Sequence, residues 1–389
     1  MRAPRWSMLV VALFVVLAAC TSGEEPPAHD APPAPQPPES SAAPPATTLA
    51  SGAELPSGCV GGRPLPRQTV AFVAGGRAWI LDPDRERLMC LFKVADPGSF
   101  AWGPQGDRVL LEDLEVRGLT SEAPTLPSVG SRPVAFDWGH PIGLAVVFAA
   151  RGDRTLQKRF MDDGHVEALP SLPRGRYLSV AYHPSGLALA FVIDRHGEQA
   201  IWLSTNEGTD PVRLVFSEGG TRFTSIAFTP DGHRLVWTAQ HAGGYPQIHT
   251  MDLADRTGFT DGWRGERGQE ASNLHVAPSG TLMAIDEGSG CADRRAMIVL
   301  SPKVARPALP GGSEPSTVIG WLDRATVLVG AGGCGEPLDL SAVDAAGNVT
   351  PLVLGAEIAA TRTVTSSAPD SVPAPPVETG EEPPPEGVG

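Results

Sequence analysis

The chain has 389 residues, a net charge of −14, 40 prolines and 44 glycines. That length admits one large domain or two, and the acidic balance excludes the dense basic surface that a grip on nucleic acid or anionic lipid requires. The charge is concentrated at the ends: Glu24, Glu25, Asp30, Glu39 and Glu54 lie in one proline-rich segment and Asp370, Glu378, Glu381, Glu382 and Glu386 in another. With Arg2 and Arg5 set aside, −6 remains on the part between.

In chain order, Arg2 and Arg5 precede an apolar run from Met8 to Ala19, too short to span a bilayer and shaped like a secretory signal. The run closes in Leu17-Ala18-Ala19-Cys20. This segment resembles the lipobox of bacterial lipoproteins. The resemblance implies that residues 1–19 are removed, that Cys20 takes diacylglycerol and palmitate, and that the mature protein sits on the extracytoplasmic face of the cell membrane. Residues 20–57 are dense in Pro, Ala, Ser and Glu and cannot bury enough apolar surface to offset the entropy of ordering. They are expected to form a disordered stalk, reaching up to roughly 100 Å if extended as polyproline II.

Between 58 and 364 the chain repeats. Five segments carry an aromatic or apolar residue, then Pro-x-Gly, then an apolar run: Phe100-Ala-Trp-Gly-Pro-Gln-Gly106, Trp138-Gly-His-Pro-Ile-Gly143, Ala181-Tyr-His-Pro-Ser-Gly186, Ala227-Phe-Thr-Pro-Asp-Gly232 and His275-Val-Ala-Pro-Ser-Gly280. In each, proline presets one turn corner and glycine takes the φ > 0 position. Pro104 and Gly106, Pro141 and Gly143, Pro184 and Gly186, Pro230, Asp231 and Gly232, and Pro278 and Gly280 are therefore read as hairpin turns. A sixth copy, Ile319 to Val329, has lost both residues. The period of roughly 40 to 48 residues matches a four-stranded propeller blade. Thr229-Pro-Asp-Gly-His-Arg-Leu-Val-Trp237 in particular resembles the repeats of TolB-like, WD-repeat-like bacterial propellers.

An all-β propeller of four-stranded blades is thus expected over 58–364. Three strand-like runs, Thr69–Val73, Arg77–Leu81 and Leu88–Phe92, come before the first hairpin and lack an innermost partner. Ile358–Val364, β-branched and at the other end of the repeats, is placed to supply it. Seven blades result; six is the alternative, because the outer strands around Leu114–Leu126 are weak. Residues 365–389 form an acidic, proline-rich tail expected to be disordered.

Apart from Cys20, the cysteines are Cys59, Cys90, Cys291 and Cys334, an even number in an exported chain, so disulfides are expected. Three pairings are possible. Cys291 and Cys334 each follow the second strand of neighbouring repeats, which favours bridging those two and leaves Cys59 with Cys90.

Candidate chemical sites have plain structural explanations. His233, His241 and His249 are evenly spaced but fall on different strands and loops of one repeat, and packed or solvated histidines account for them. Asp82-Pro-Asp-Arg-Glu86 lacks the glycine of a calcium loop and reads as a hairpin tip. The positions before the repeat prolines, Gly103, His140, His183, Thr229, Ala277 and Leu322, show no ring of matched ligands. Gly330-Ala-Gly-Gly-Cys-Gly335 has the G-x-G-x-x-G spacing, yet a strand and not a helix follows it, so the phosphate reading fails. Its glycines are read as a loop around Cys334. Trp102, Tyr182, Phe228 and Trp321 are read as packing between blades.

No catalytic constellation, metal site or cofactor site is recognisable. The expectation is a non-catalytic binding or scaffold module in the cell envelope, held to the membrane by its lipid, with another envelope protein or a cell-wall polymer as partner and no nucleic acid. A propeller hydrolase or lyase, or a ligand sensor, is the alternative.

Overall fold

The computed structural model describes residues 47–361 except 57–58, 60–68, 84–86, 95–97, 99, 121–122, 131, 139–144, 242, 257, 312–313 and 334. The segments expected to be the signal, most of the stalk and the tail lie outside this set. The described residues form seven antiparallel sheets, the blades of a propeller. Their only helix is the single turn Glu112–Leu114, and none among the described residues is long and apolar enough to cross a membrane.

Blade three runs through Pro133–Trp138, Ala145–Ala150, Gln157–Phe160 and Val166–Ala168. Blade four uses Arg176–Tyr182, Ala188–Arg195, Glu198–Thr205 and Val212–Phe216, and blade five Arg222–Phe228, Arg234–Gln240, Pro246–Asp252 and Thr260–Arg264. Blade six comprises Glu270–Val276, Met283–Gly288, Arg295–Ser301 and Val304–Pro307, and blade seven Ser316–Trp321, Thr326–Ala331, Leu338–Asp344 and Val349–Ala356. From blade three to blade seven the first strand of each packs against the first strand of the next. Second strands such as Ala145–Ala150 are buried along their whole length, because both faces of a blade meet another blade.

The repeat motif makes the same turn each time. Gly106, Gly186, Gly232 and Gly280 have φ of 72°, 73°, 73° and 72°, and each donates its N–H to the carbonyl three residues back at 2.8–2.9 Å. This is a type I turn followed by a left-handed residue, which glycine adopts without the Cβ penalty. Pro141 and Gly143 lie outside the described residues. In the decayed copy, Asp323 Oδ1 accepts the N–H groups of Ala325 and Thr326 at 2.7 and 2.8 Å; a side-chain acceptor replaces the proline-glycine turn.

Blade one contains Val70–Ala74, Arg77–Asp82 and Arg87–Lys93, and its innermost strand is Ile358–Thr361, paired antiparallel from Val70↔Thr361 to Val73↔Ile358. The ring is thus closed from both ends of the chain. Blade two, formed by Phe100–Trp102, Arg108–Leu111 and Val116–Gly118, departs from the expected four strands. Its fourth is reduced to one bridge, Val116↔Leu126.

The expected stalk boundary at residue 57 also needs correction. Thr48–Leu49 adds a fifth strand to the outer edge of blade seven, and Thr47 Oγ1 donates to the Gly355 carbonyl at 2.7 Å. Leu49 and Leu55 pack with Phe72, Trp79, Leu352 and Val353 at the junction of blades seven and one. The composition of the stalk hid these two leucines, whose burial outweighs the cost of ordering a short strap.

Neighbouring blades are joined by polar side chains that accept backbone N–H groups. Asp137 of blade three accepts from Tyr182 of blade four at 2.7 Å, and Gln199 of blade four from Phe223 of blade five at 2.6 Å. Ser225 of blade five accepts from Leu274 of blade six at 3.1 Å, and Asp286 of blade six from Val318 of blade seven at 2.7 Å. The inner strands of blades three to seven each carry a register shift, and Phe223 and Val318 lie at such shifts. A bulge frees a ladder group that must find another partner. Burial raises the Asp137 carboxyl to about 6, against the lowering effect of the N–H donors from Tyr182 and Trp138.

Candidate functional site

Because strands alternate in direction, the loops after the second strand of a blade and the links between blades share one face of the ring. On that face a cleft of about 460 Å³ opens between blades six and seven, within the size range of small-ligand sites. One wall is Cys291 and Arg294, from the loop after the second strand of blade six. The other is Gly332, Gly333, Gly335, Glu336, Pro337 and Leu338, from the equivalent loop of blade seven. The floor is the link Pro315-Ser316-Thr317, and Glu357, from the crossing into blade one, completes the lining.

The floor is held by a buried network. Asp286 accepts the hydroxyl of Thr317 at 2.6 Å, the N–H of Val318 at 2.7 Å and the amide of Asn273 at 3.1 Å. Asn273 also donates to the Val318 carbonyl at 2.7 Å, from a left-handed backbone with φ 51° that asparagine tolerates better than most residues. Ser316 Oγ accepts the Ala296 N–H at 3.0 Å. Burial pushes the Asp286 carboxyl upward, and the donors from Thr317, Val318 and Asn273 and the charge of Arg294 pull it back. A carboxylate so satisfied is a brace for the floor and not a free base.

The glycine-rich segment shapes the second wall. Gly332 donates to the Pro315 carbonyl at 2.8 Å, and a Cβ there would stand 2.6 Å from the Pro337 carbonyl oxygen. Gly333 donates to Glu336 Oε2 at 3.0 Å. No helix follows, in agreement with the rejection of a phosphate loop. What sequence reading missed is that these glycines line a cleft opposite Arg294. The G-x-G-x-x-G spacing and the Arg294-Arg295 pair behind Cys291 were the available signals, and nothing along the chain joins them.

Arg294 is half-buried and makes no ion pair or side-chain hydrogen bond among the described residues. With Glu336 and Glu357 it gives the cleft one cationic and two anionic groups around open backbone. Such a lining suits a polar ligand or a peptide-like segment carrying both charges. Its described residues include no histidine, and its one described thiol is bonded.

The other expected site residues fall as follows. Cys20 lies outside the described residues. Cys59 and Cys90 form a disulfide, with Cα atoms 4.6 Å apart, which ties the entering strap to the outermost strand of blade one. Cys291 is also disulfide-bonded; Cys334, its expected partner, lies outside the described residues. Trp102, Tyr182, Phe228 and Trp321 are buried between blades. The hairpin turns lie on the opposite face from the cleft. Of the three spaced histidines, His233 is exposed at a turn, whereas His241 and His249 touch. Among the described residues no group of three or more His, Cys, Asp or Glu converges on one point.

No protein-family model and no curated protein matches the sequence. Solved structures match in fold. A study of two prolyl endopeptidases provides one, 11 % identical over 75 % of this chain and 50 % of that one, TM-score 0.54. The β-propeller domain of Cps50 (Swd1) from Myceliophteria thermophila is 15 % identical over 72 % of this chain and 95 % of that one, TM-score 0.52. TolB from Acinetobacter baumannii, 16 % identical over 78 % of this chain and 68 % of that one, has a TM-score of 0.47, too loose to argue from. What the chain shares with the first two is the β-propeller fold, and at such identities the fold alone.

Proposed function

We propose that the protein is a lipid-anchored, extracytoplasmic binding module, tethered through Cys20, whose propeller offers the cleft between blades six and seven to another envelope protein or to a cell-wall polymer. The observation that carries this reading is the cleft itself, with an unpaired Arg294 in its wall and a floor braced from beneath.

Two measurements test the reading. Crosslinking in cells followed by affinity capture is expected to recover a partner with the native chain and markedly less with Arg294→Glu. Equal recovery with both would remove the cleft from the interface, and no specific recovery would overturn the binding role. Palmitate labelling is expected to mark the native chain and not Cys20→Ser, with the variant released from the membrane fraction. A native chain that stays unlabelled would refute the anchor.

A further inference from the structure

Outside the cleft, blade five holds a chain of side chains that ordinary packing does not require. Its second and third strands, Arg234–Gln240 and Pro246–Asp252, pair so that Trp237 faces His249. The loop between them brings His241 back over the same face, where Trp237 and Met251 pack toward blade four. The two Nε2 atoms are 2.9 Å apart. His249 Nδ1 lies 2.9 Å from Asp261 Oδ1 on the fourth strand, and His241 Nδ1 lies 3.4 Å from the Thr221 hydroxyl.

The carboxylate decides the tautomer. Asp261 can only accept, so His249 carries its proton on Nδ1 and presents a bare lone pair at Nε2. The rings of Trp237 and Phe259, with centroids 5.4 and 4.9 Å from that of His249, hold its plane. His249 is 2 % exposed, whereas His241 is half-buried on its loop and the Asp261 side chain is two-thirds exposed. An imidazole backed by a carboxylate and faced by a second, less buried imidazole is the ligand arrangement of late transition metals.

We propose that His241 and His249 form an exchangeable site for a late first-row divalent metal ion, copper(II) before zinc, with Asp261 positioning His249 from behind. Two metal–nitrogen bonds of about 2.0 Å at right angles separate their nitrogens by about 2.8 Å, and tetrahedral bonds of that length separate them by about 3.3 Å. The observed 2.9 Å, a hydrogen bond, already holds the two nitrogens within that span, and copper(II) stands before zinc because an imidazole pair follows the Irving–Williams order. On binding, His241 changes tautomer: the proton it shares with His249 leaves Nε2 and, through solvent, is replaced by one on Nδ1 facing the Thr221 hydroxyl, with no net release, while the ring turns so that both Nε2 lone pairs converge on the ion. With two protein ligands the remaining positions belong to water, which makes the site exchangeable and distinguishes it from a closed structural site.

The test is titration of the full chain carrying Cys20→Ser, so that this thiol does not compete, with copper(II) followed by electron paramagnetic resonance. One equivalent is expected to bind with hyperfine coupling from two imidazole nitrogens. His241→Ala, on the exposed side, is expected to lose at least tenfold in affinity and one of the two couplings while keeping the native melting temperature. Asp261→Asn is expected to weaken binding about tenfold. His233→Ala, on the same blade but at an exposed hairpin, is the control and is expected to bind as the parent does. Absence of a one-equivalent site, or equal affinity in the parent and His241→Ala, would overturn the proposal and leave the pair as a hydrogen bond only.

Discussion

Blades two and seven invert what the repeat motif leads one to expect. Blade two keeps the full Phe100-Ala-Trp-Gly-Pro-Gln-Gly106 turn and has three strands, whereas blade seven has lost both proline and glycine and, with Thr48–Leu49, has five. The turn motif therefore governs the hairpin of the two inner strands and nothing further out. What completes the outer edge is a long-range partner in each case. For blade seven it is the strap from the start of the described chain. For blade two it is Arg159, 1 % exposed on the third strand of blade three. Arg159 donates to the Leu114 carbonyl and, at 2.6 Å, to the Pro127 carbonyl, holding the two segments that flank the Val116↔Leu126 bridge. Burial lowers the pKa of this guanidinium, which has no carboxylate partner among the described residues.

The strap on the blade-seven side is the costliest to release. Its disulfide closes a loop of 31 residues, so Cys59→Ser is expected to destabilise the propeller by about 3–4 kcal/mol in urea titration. A loss confined to the Thr48–Leu49 amides in hydrogen exchange, with global stability intact, would show the strap to be an ornament. On the blade-two side, Arg159→Met leaves the buried Leu114 carbonyl and the part-buried Pro127 carbonyl without this donor and is expected to cost about 1–3 kcal/mol. Amide protection should fall first over Val116–Gly118; an unchanged midpoint would mean that water replaces the guanidinium.

The turns themselves should matter less. Gly106→Ala forces an alanine to φ 72° and is expected to cost about 1 kcal/mol. Asp323→Ala, which removes the acceptor of two N–H groups in blade seven, is expected to cost a similar amount. A far larger loss at Gly106 would give the motif a role beyond its hairpin.

Acid should act through a different group, by pH dependence. Burial holds His275, at the junction of blades six and seven, down to about 4, below its unfolded value of about 6.5. Between these values the unfolded chain binds more protons, so this contribution to stability is present above pH 6.5 and is lost as the pH falls toward 4. His275→Gln removes it. The stability difference between variant and parent is expected to move in favour of the variant across that window, while Gly106→Ala keeps a constant difference. A flat difference for His275→Gln would show that the ring is not desolvated.

The sequence by itself determined the repeat and its hairpin turns, favoured seven blades over six, and pointed to Ile358–Val364 as the strand that closes blade one, of which Ile358–Thr361 pairs with Val70–Val73. Each rests on local chemistry, in which proline and glycine set backbone angles and apolar alternation sets the buried faces. It also singled out the Cys59–Cys90 bond, the glycines of the cleft wall and the spaced histidines, without showing what they meet. Only the tertiary structure decided that Arg294 faces those glycines, that His241 and His249 touch, that Arg159 completes a blade to which it does not belong, and that Leu49 leaves the stalk for the ring. The reason is physical. In a propeller each blade buries its faces against the next, so the groups that build a cleft or satisfy a broken edge come from different repeats, and no periodicity along the chain records which side chains the closed ring brings together.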